Sequence, residues 1–263
     1  MASPDFTEVF LRVDRAARHR GEINDLAFAH HQAKPIEIYT EYVRGSLRVF
    51  AQAAQPFPPD IALAFSDWAH QLRAALDATL YQVAVADSGQ SPPPGDDQLQ
   101  YPLTTTPEQF EKVARRRLKH LSARSVTEIG RTQPYNIPTG ARGHALWWLH
   151  EMARLDRHRI AHEFAWHIRG VEFGGFVENG ARIEHADQQL SFVRSHRRAF
   201  LGAITPGPDA DLSPGLDVKV HPIPEIPRWL VGSVASYRFS LSERMEGIED
   251  VIRRTAEYFR DRA

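Results

Sequence analysis

His70, Arg73 and Asp77 stand at i, i+3 and i+7 in the run His70-Gln71-Leu72-Arg73-Ala74-Ala75-Leu76-Asp77, a spacing that lines up an imidazole, a guanidinium and a carboxylate along one edge of a helix. Such a set can move protons, hold a metal ion or grip a small anion. Further on, Asp156 falls inside an apolar helical face made by Leu146, Leu149, Ala153, Ile160 and Phe164. A carboxylate there is costly unless paired, and Arg73 is its expected partner, with Arg159 in the same network. Two readings stay open: a polar network that fixes the register of two packed helices, or a cleft in which His70 or Asp77 does chemistry. His158 and His162, four apart with Glu151 one or two turns earlier, can bind one divalent ion with a carboxylate as third ligand. No His-Glu-x-x-His motif accompanies them, so neither a metal nor another cofactor is expected. Arg115-Arg116-Arg117-Leu118-Lys119-His120 is the densest basic run. On a helix it spreads around the circumference as a solvated face, or offers Arg116 as a secondary contact to an RNA backbone. Arg194-Ser195-His196-Arg197-Arg198 is a weaker case of the same kind.

The elements that must position these groups follow from periodicity. Residues 5–33 read as a helix with Phe6, Val9, Phe10, Val13, Ala16 and Ala17 on one face, stopped by Pro35. A hairpin over 36–51 turns at Gly45-Ser46. Residues 60–86 carry the strongest helical stripe, Ile61, Phe65, Trp68, Leu72, Leu76, Leu80 and Val83. After the Pro- and Gly-rich stretch 88–97 come helices near 107–121 and 122–131 and a long helix over 140–167. Strands are expected at 171–173, 176–177, 181–186, 190–193 and 218–220, with a hairpin turn at Asn179-Gly180, and a long strand at 229–240. An amphipathic helix over 241–262, burying Met245, Ile248, Ile252, Ala256 and Phe259, closes the chain. The fold class is therefore α+β, a helical bundle with an N-terminal hairpin and a mainly antiparallel C-terminal sheet. One domain over 1–263 is expected, its helical part at 1–167 and its sheet and last helix at 168–263.

Composition narrows the chemistry by exclusion. The 263 residues hold no cysteine, which rules out disulfides, iron–sulfur clusters, thiolate zinc and a cysteine nucleophile. With 32 basic and 33 acidic residues the net charge is -1, so duplex nucleic acid is not gripped through global positive charge. Asp5, Glu8, Arg12, Asp14, Arg15 and Arg18 leave no apolar stretch for a signal peptide, and no run is long enough for a membrane span. A cytoplasmic protein is expected. Nucleotide-loop, dinucleotide and Gly-x-Ser-x-Gly motifs are absent.

Two resemblances add to this reading. His70-Gln71-Leu72-Arg73-Ala74-Ala75-Leu76-Asp77-Ala78, Gln133-Pro134-Tyr135, Leu146-Trp147-Trp148-Leu149 and Asp156-Arg157-His158-Arg159 resemble, in order and over about residues 10–165, the motifs of an uncharacterised bacterial family common in actinomycetes. That family has His at the position of Ala78 and Lys at that of Arg157, and it implies a fold relationship rather than a reaction. Arg157-His158-Arg159-Ile160-Ala161-His162-Glu163-Phe164 is similar to the signature of HEPN-domain ribonucleases, with Phe164 in place of a Tyr. The resemblance implies a cleft, completed by a second subunit, that cleaves RNA without metal. In it Arg157 holds the scissile phosphate, His162 shuttles the proton of the attacking 2′-hydroxyl or leaving 5′-oxygen, and His158 orients either partner.

The expected function is thus a HEPN-like, metal-independent endoribonuclease. Arg157, His162 and His158 are its catalytic candidates, and His70, Arg73, Asp77, Asp156, Arg159 and Arg116 its substrate-binding candidates. RNA and a second copy of the chain are the expected partners, with no membrane. The alternative is a non-catalytic binding protein whose His/Arg/Asp network is structural or grips a small anion. A third option is a metal-dependent hydrolase using His158 and His162.

Overall fold

The computed structural model describes residues 2–138, 140–158, 162–174, 181–187, 191–207, 217–232 and 238–263, with only the backbone described at 157, 158, 231 and 232. The described residues form an α+β protein whose two sheets are antiparallel throughout. They divide into unit 1 (1–24, 62–162 and 232–263) and unit 2 (25–61 and 163–231).

Unit 1 is helical. It contains most of α1 (Thr7–Gln32) and α2 (Pro59–Ser88), then α3 (Pro107–Arg117), α4 (Ala123–Arg131), α5 (Ala145–His158) and α7 (Leu241–Arg260). The stripe of α2 does what its period requires: Phe65, Trp68, Leu72, Leu76 and Leu80 are fully buried. Each such side chain removed from water contributes about 1.5–3 kcal/mol before the entropy of ordering is set against it. Local chemistry sets the ends. Thr106 caps α3 ahead of Pro107, Ser122 caps α4, and Ser240 and Glu243 close a reciprocal capping box on α7.

Unit 2 holds β1 (Ile36–Val43), β2 (Ser46–Ala53), β3 (Ala165–Gly174), β4 (Arg182–His185), β5 (Phe192–Val193), β6 (Ala199–Thr205), β7 (Asp217–Glu225) and the short α6 (Pro227–Gly232). One sheet runs β1-β2-β6-β4, the other β5-β3-β7. Their apolar faces share one core: Val49, Ala51, Ala53, Leu201 and Ile204 from the first, Trp166, Ile168, Phe173 and Val193 from the second. The β1–β2 hairpin turns on Arg44 (φ 50°) and Gly45 (φ 81°), one residue earlier than the expected Gly45-Ser46. Two consecutive left-handed residues match the twist of a tight hairpin.

Gly202 marks where the first sheet tolerates no side chain. Leu201 is the extra residue of a bulge between β2 and β6, and a Cβ on Gly202 would lie 2.5 Å from the Glu184 carbonyl oxygen of β4. Gly202→Ala should therefore lower stability by about 1–3 kcal/mol, because strand backbone must give way. A Cβ on Gly247, exposed on α7, meets nothing, so Gly247→Ala should stabilise by up to about 1 kcal/mol. Urea midpoints of the two variants moving in the same direction would refute this account.

Four sequence expectations are corrected. The helix expected at 140–167 spans only Ala145–His158, and β3 begins at Ala165. Ala165, Trp166, His167 and Ile168 are all buried as a sheet strand, and pairing with β7 overrides the helical spacing of Phe164. The strand expected at 229–240 is helical as far as Gly232: Pro227 presets the first turn and the Glu225 carboxylate accepts the Ile226 N–H before it. The expected short strand at 218–220 extends over Asp217–Glu225. Its Pro222 and Pro224 are accommodated because β7 is an edge, paired to β3 alone in its sheet. β6, unforeseen, becomes a central strand between β2 and β4. The expected hairpin turn at Asn179-Gly180 and the strand at 176–177 lie outside the described residues.

Candidate functional site

The polar groups singled out by spacing gather in unit 1 where α2 runs beside α5. His70 Nε2 lies 3.3 Å from Asp156 Oδ2; the imidazole side chain is 45% exposed and the carboxylate 12%. Ser66, one turn before His70 and buried, donates to Asp156 Oδ1 and to the Ala62 carbonyl. Asp156 is thus compensated inside the apolar face by His70 and Ser66, not by the expected Arg73.

His162 stands beyond the end of α5, outside the helix expected to carry it. Its half-buried ring packs edge-on against Phe65 at 5.0 Å, and Nε2 lies 3.1 Å from the Met152 carbonyl oxygen. Met152 precedes Asp156 by one turn of α5, and Phe65 precedes Ser66 on α2. His162 therefore meets α5 about one helical turn, or 6 Å in rise, before Asp156, and touches α2 at Phe65. The side chains of Arg157 and His158, the last residues of α5, and all of Arg159 and Ile160 lie outside the described residues.

Arg73 and Asp77 serve a different segment. Arg73 is buried and donates through Nη2 to Asp77 Oδ1 (2.9 Å) and to the Tyr101 carbonyl (2.6 Å). Asp77 in turn accepts the Tyr101 N–H at 2.8 Å, so the pair holds both backbone groups of one residue. Burial pushes the Tyr101 phenol up to about 12, against the opposing effects of its hydrogen bond with Thr132 and the charge of Arg73. It stays neutral in the core. Gln133, fully buried, completes the clasp: its Oε1 accepts from Thr104 N and Oγ1, and its Nε2 donates to the carbonyls of Pro102 and Ile129. Gln133→Ala strands these buried groups and should cost about 2–3 kcal/mol in chemical denaturation. A loss below about 0.5 kcal/mol, the range of an ordinary surface substitution, would contradict the clasp.

Arg116 is exposed and lines, with Asp77, Asp97 and Arg117, an open polar cavity of about 500 Å³. The structure thus groups His70 with Asp156, Arg73 with Asp77, and Asp77 with Arg116. Among the described residues no three His, Asp or Glu side chains are placed to hold one metal ion. Nor is any helix among them long and apolar enough to cross a membrane. Sequence reasoning missed Ser66, whose only signal was its position four before His70, and the Tyr101 segment, which carries no signal of its own.

A titratable side chain caps the start of α5. His144 is its N-cap: Nδ1 accepts the Leu146 N–H at 3.1 Å, and burial lowers the imidazole below its ordinary 6.5. A depressed imidazole contributes stability that is complete above 6.5 and is lost as pH falls through its folded-state value, because protonation removes the acceptor. His144→Asn keeps a capping oxygen that does not titrate. The wild type should lose about 1 kcal/mol more than this variant between neutral pH and pH 5, read from thermal midpoints. Equal losses would rule the cap out.

Comparison of the chain with family models, curated proteins and solved structures finds no match.

Proposed function

We propose that the chain is a HEPN-like, metal-independent endoribonuclease, cytoplasmic and active as a homodimer, that works through the imidazoles of the α2–α5 seam. The observation that carries the reading is the His70–Asp156 pair, a half-exposed imidazole beside a carboxylate that Ser66 holds in place, with His162 against the same two helices. Cleavage without metal needs one group to take the 2′-hydroxyl proton as its oxygen attacks the adjacent phosphorus, and another to protonate the departing 5′-oxygen. On this reading the imidazoles of His70 and His162 divide those tasks. Arg157, next in sequence to Asp156, is assigned to the phosphate by the sequence resemblance, and His158 and Arg159 accompany it.

The test is cleavage of a labelled mixed-sequence RNA with EDTA present, by wild type and by His162→Ala. Cleavage that survives EDTA and disappears in the variant supports the reading. Activity abolished by EDTA would favour the metal-dependent use of His158 and His162. No cleavage, or equal cleavage by both proteins, would sink the nuclease reading.

A second reading has its own observation. Arg73 and Asp77 are bonded to both backbone groups of Tyr101, which favours a structural network in a non-catalytic binding protein. On that reading Arg73→Ala lowers stability, and no His70 or His162 variant has a catalytic phenotype. Kinship with the actinomycete-type family fits either reading, since Gln133, Arg73 and Asp77 belong to the motifs that resemble it.

A further inference from the structure

The geometry points to a binding surface for single-stranded nucleic acid on the outer face of the four-stranded sheet in unit 2. Alternation along β2 sends Val49, Ala51 and Ala53 into the core and leaves Arg48, Phe50 and Gln52 on the opposite face. Tyr39 on β1 and Phe200 on β6 are each directly paired with Phe50, so the three rings form a row across three strands on that face. The rings of Phe50 and Phe200 are 5.5 Å apart, and Phe200 is 38% exposed.

Arginines frame this row. The Arg198 guanidinium lies 4.3 Å over the Tyr39 ring, anchored by Glu41 at 2.7 Å. Phe200 lines two cavities, one of about 350 Å³ with Arg194, Arg197 and Arg198, the other of about 410 Å³ with Phe50, Arg44 and Arg48. Across both linings five arginines face two carboxylates, Asp187 and Glu184. Two of the five are paired, Arg198 with Glu41 and Arg194 with Glu163, while Arg44, Arg48 and Arg197 make no ion pair among the described residues. The basic run at 194–198 has a use that its spacing alone did not show.

Surface rings, Phe200 exposed and Tyr39 and Phe50 half-buried, flanked by guanidinium groups match unpaired nucleotides: bases stack on the aromatic faces while phosphates meet the arginines. A duplex keeps its base faces stacked within itself and cannot use the rings. The surface requires no cleavage chemistry, so it stands whether or not the α2–α5 seam cuts RNA.

Fluorescence anisotropy with a labelled single strand of about ten nucleotides tests it on the full chain with EDTA present. Phe200→Ala should weaken binding about tenfold, the loss of one stacked base. The double variant Arg48→Glu/Arg197→Glu, which leaves the apolar packing untouched, should weaken binding and flatten its salt dependence. Thermal midpoints equal to wild type would exclude misfolding, and the arginine variant carries the test if Phe200→Ala fails to fold. RNA and DNA strands of one sequence are compared: equal binding, or a preference for RNA, fits the surface. A wild type that does not bind, variants that bind as wild type, or a duplex that competes as well as the single strand would overturn it. Binding without cleavage by the wild type would remove the nuclease reading and leave this one standing.

Discussion

Arg20→Ala should lower folding stability by about 3–5 kcal/mol, as breaking a buried ion pair from one side does. Glu249, on α7, is buried. Its carboxylate accepts Arg20 Nε at 3.0 and 3.2 Å, Arg20 Nη2 at 3.1 Å and Trp68 Nε1 at 2.9 Å. Three helices, α1, α2 and α7, therefore converge on one charge. Removing the guanidinium leaves that charge with the indole N–H and no counter-ion, which burial makes expensive. Replacing both partners should hurt less than removing Arg20 alone. Arg20→Met/Glu249→Met should thus recover much of the loss in urea denaturation. A double variant as unstable as the sum of the two single ones would show that the pair is not coupled. A small loss in Arg20→Ala would mean that water reaches the Glu249 carboxylate and solvates it in place of the guanidinium.

His162→Ala and His70→Ala should each reduce RNA cleavage by about 10²–10⁴-fold, the usual worth of one positioned acid or base. Neither loss should come from unfolding. His70 is half-exposed, and thermal midpoints of both variants equal to that of the wild type would show that each remains folded. Asp156 is a positioning residue. Asp156→Asn keeps the shape of its contacts with Ser66 and His70 but removes the charge that orients the ring. It should lower kcat with little change in KM. In the His70→Ala background it should have almost no further effect, because there is then no imidazole left to orient. A merely structural Asp156 would reduce cleavage equally in both backgrounds. Losses confined to KM in the histidine variants would reassign the seam to binding and favour the non-catalytic reading.

What the sequence by itself determined was set by neighbours a few residues apart. The stripes of α2 and α7, the capped starts of α3 and α4, and the β1–β2 hairpin all follow from periods and turn residues that act within one element. The edge of α2 that carries His70, Arg73 and Asp77 was legible for the same reason. Which partner each of these meets was not. Asp156 pairs with His70 and Ser66, while Arg73 reaches Tyr101, because those choices depend on how helices far apart in sequence are brought together. The same holds for the end of α5. Residues 162–168 carry both helical spacing and β-forming side chains, and pairing with β7, some fifty residues later, decides for the strand. β6 was invisible because a strand central to its sheet reads as a short apolar run, and its neighbours β2 and β4 are supplied only by the fold. The aromatic row of Tyr39, Phe50 and Phe200 also exists only through cross-strand register. Local periodicity records which face of an element is apolar; long-range pairing decides what that face, and the polar one behind it, will meet.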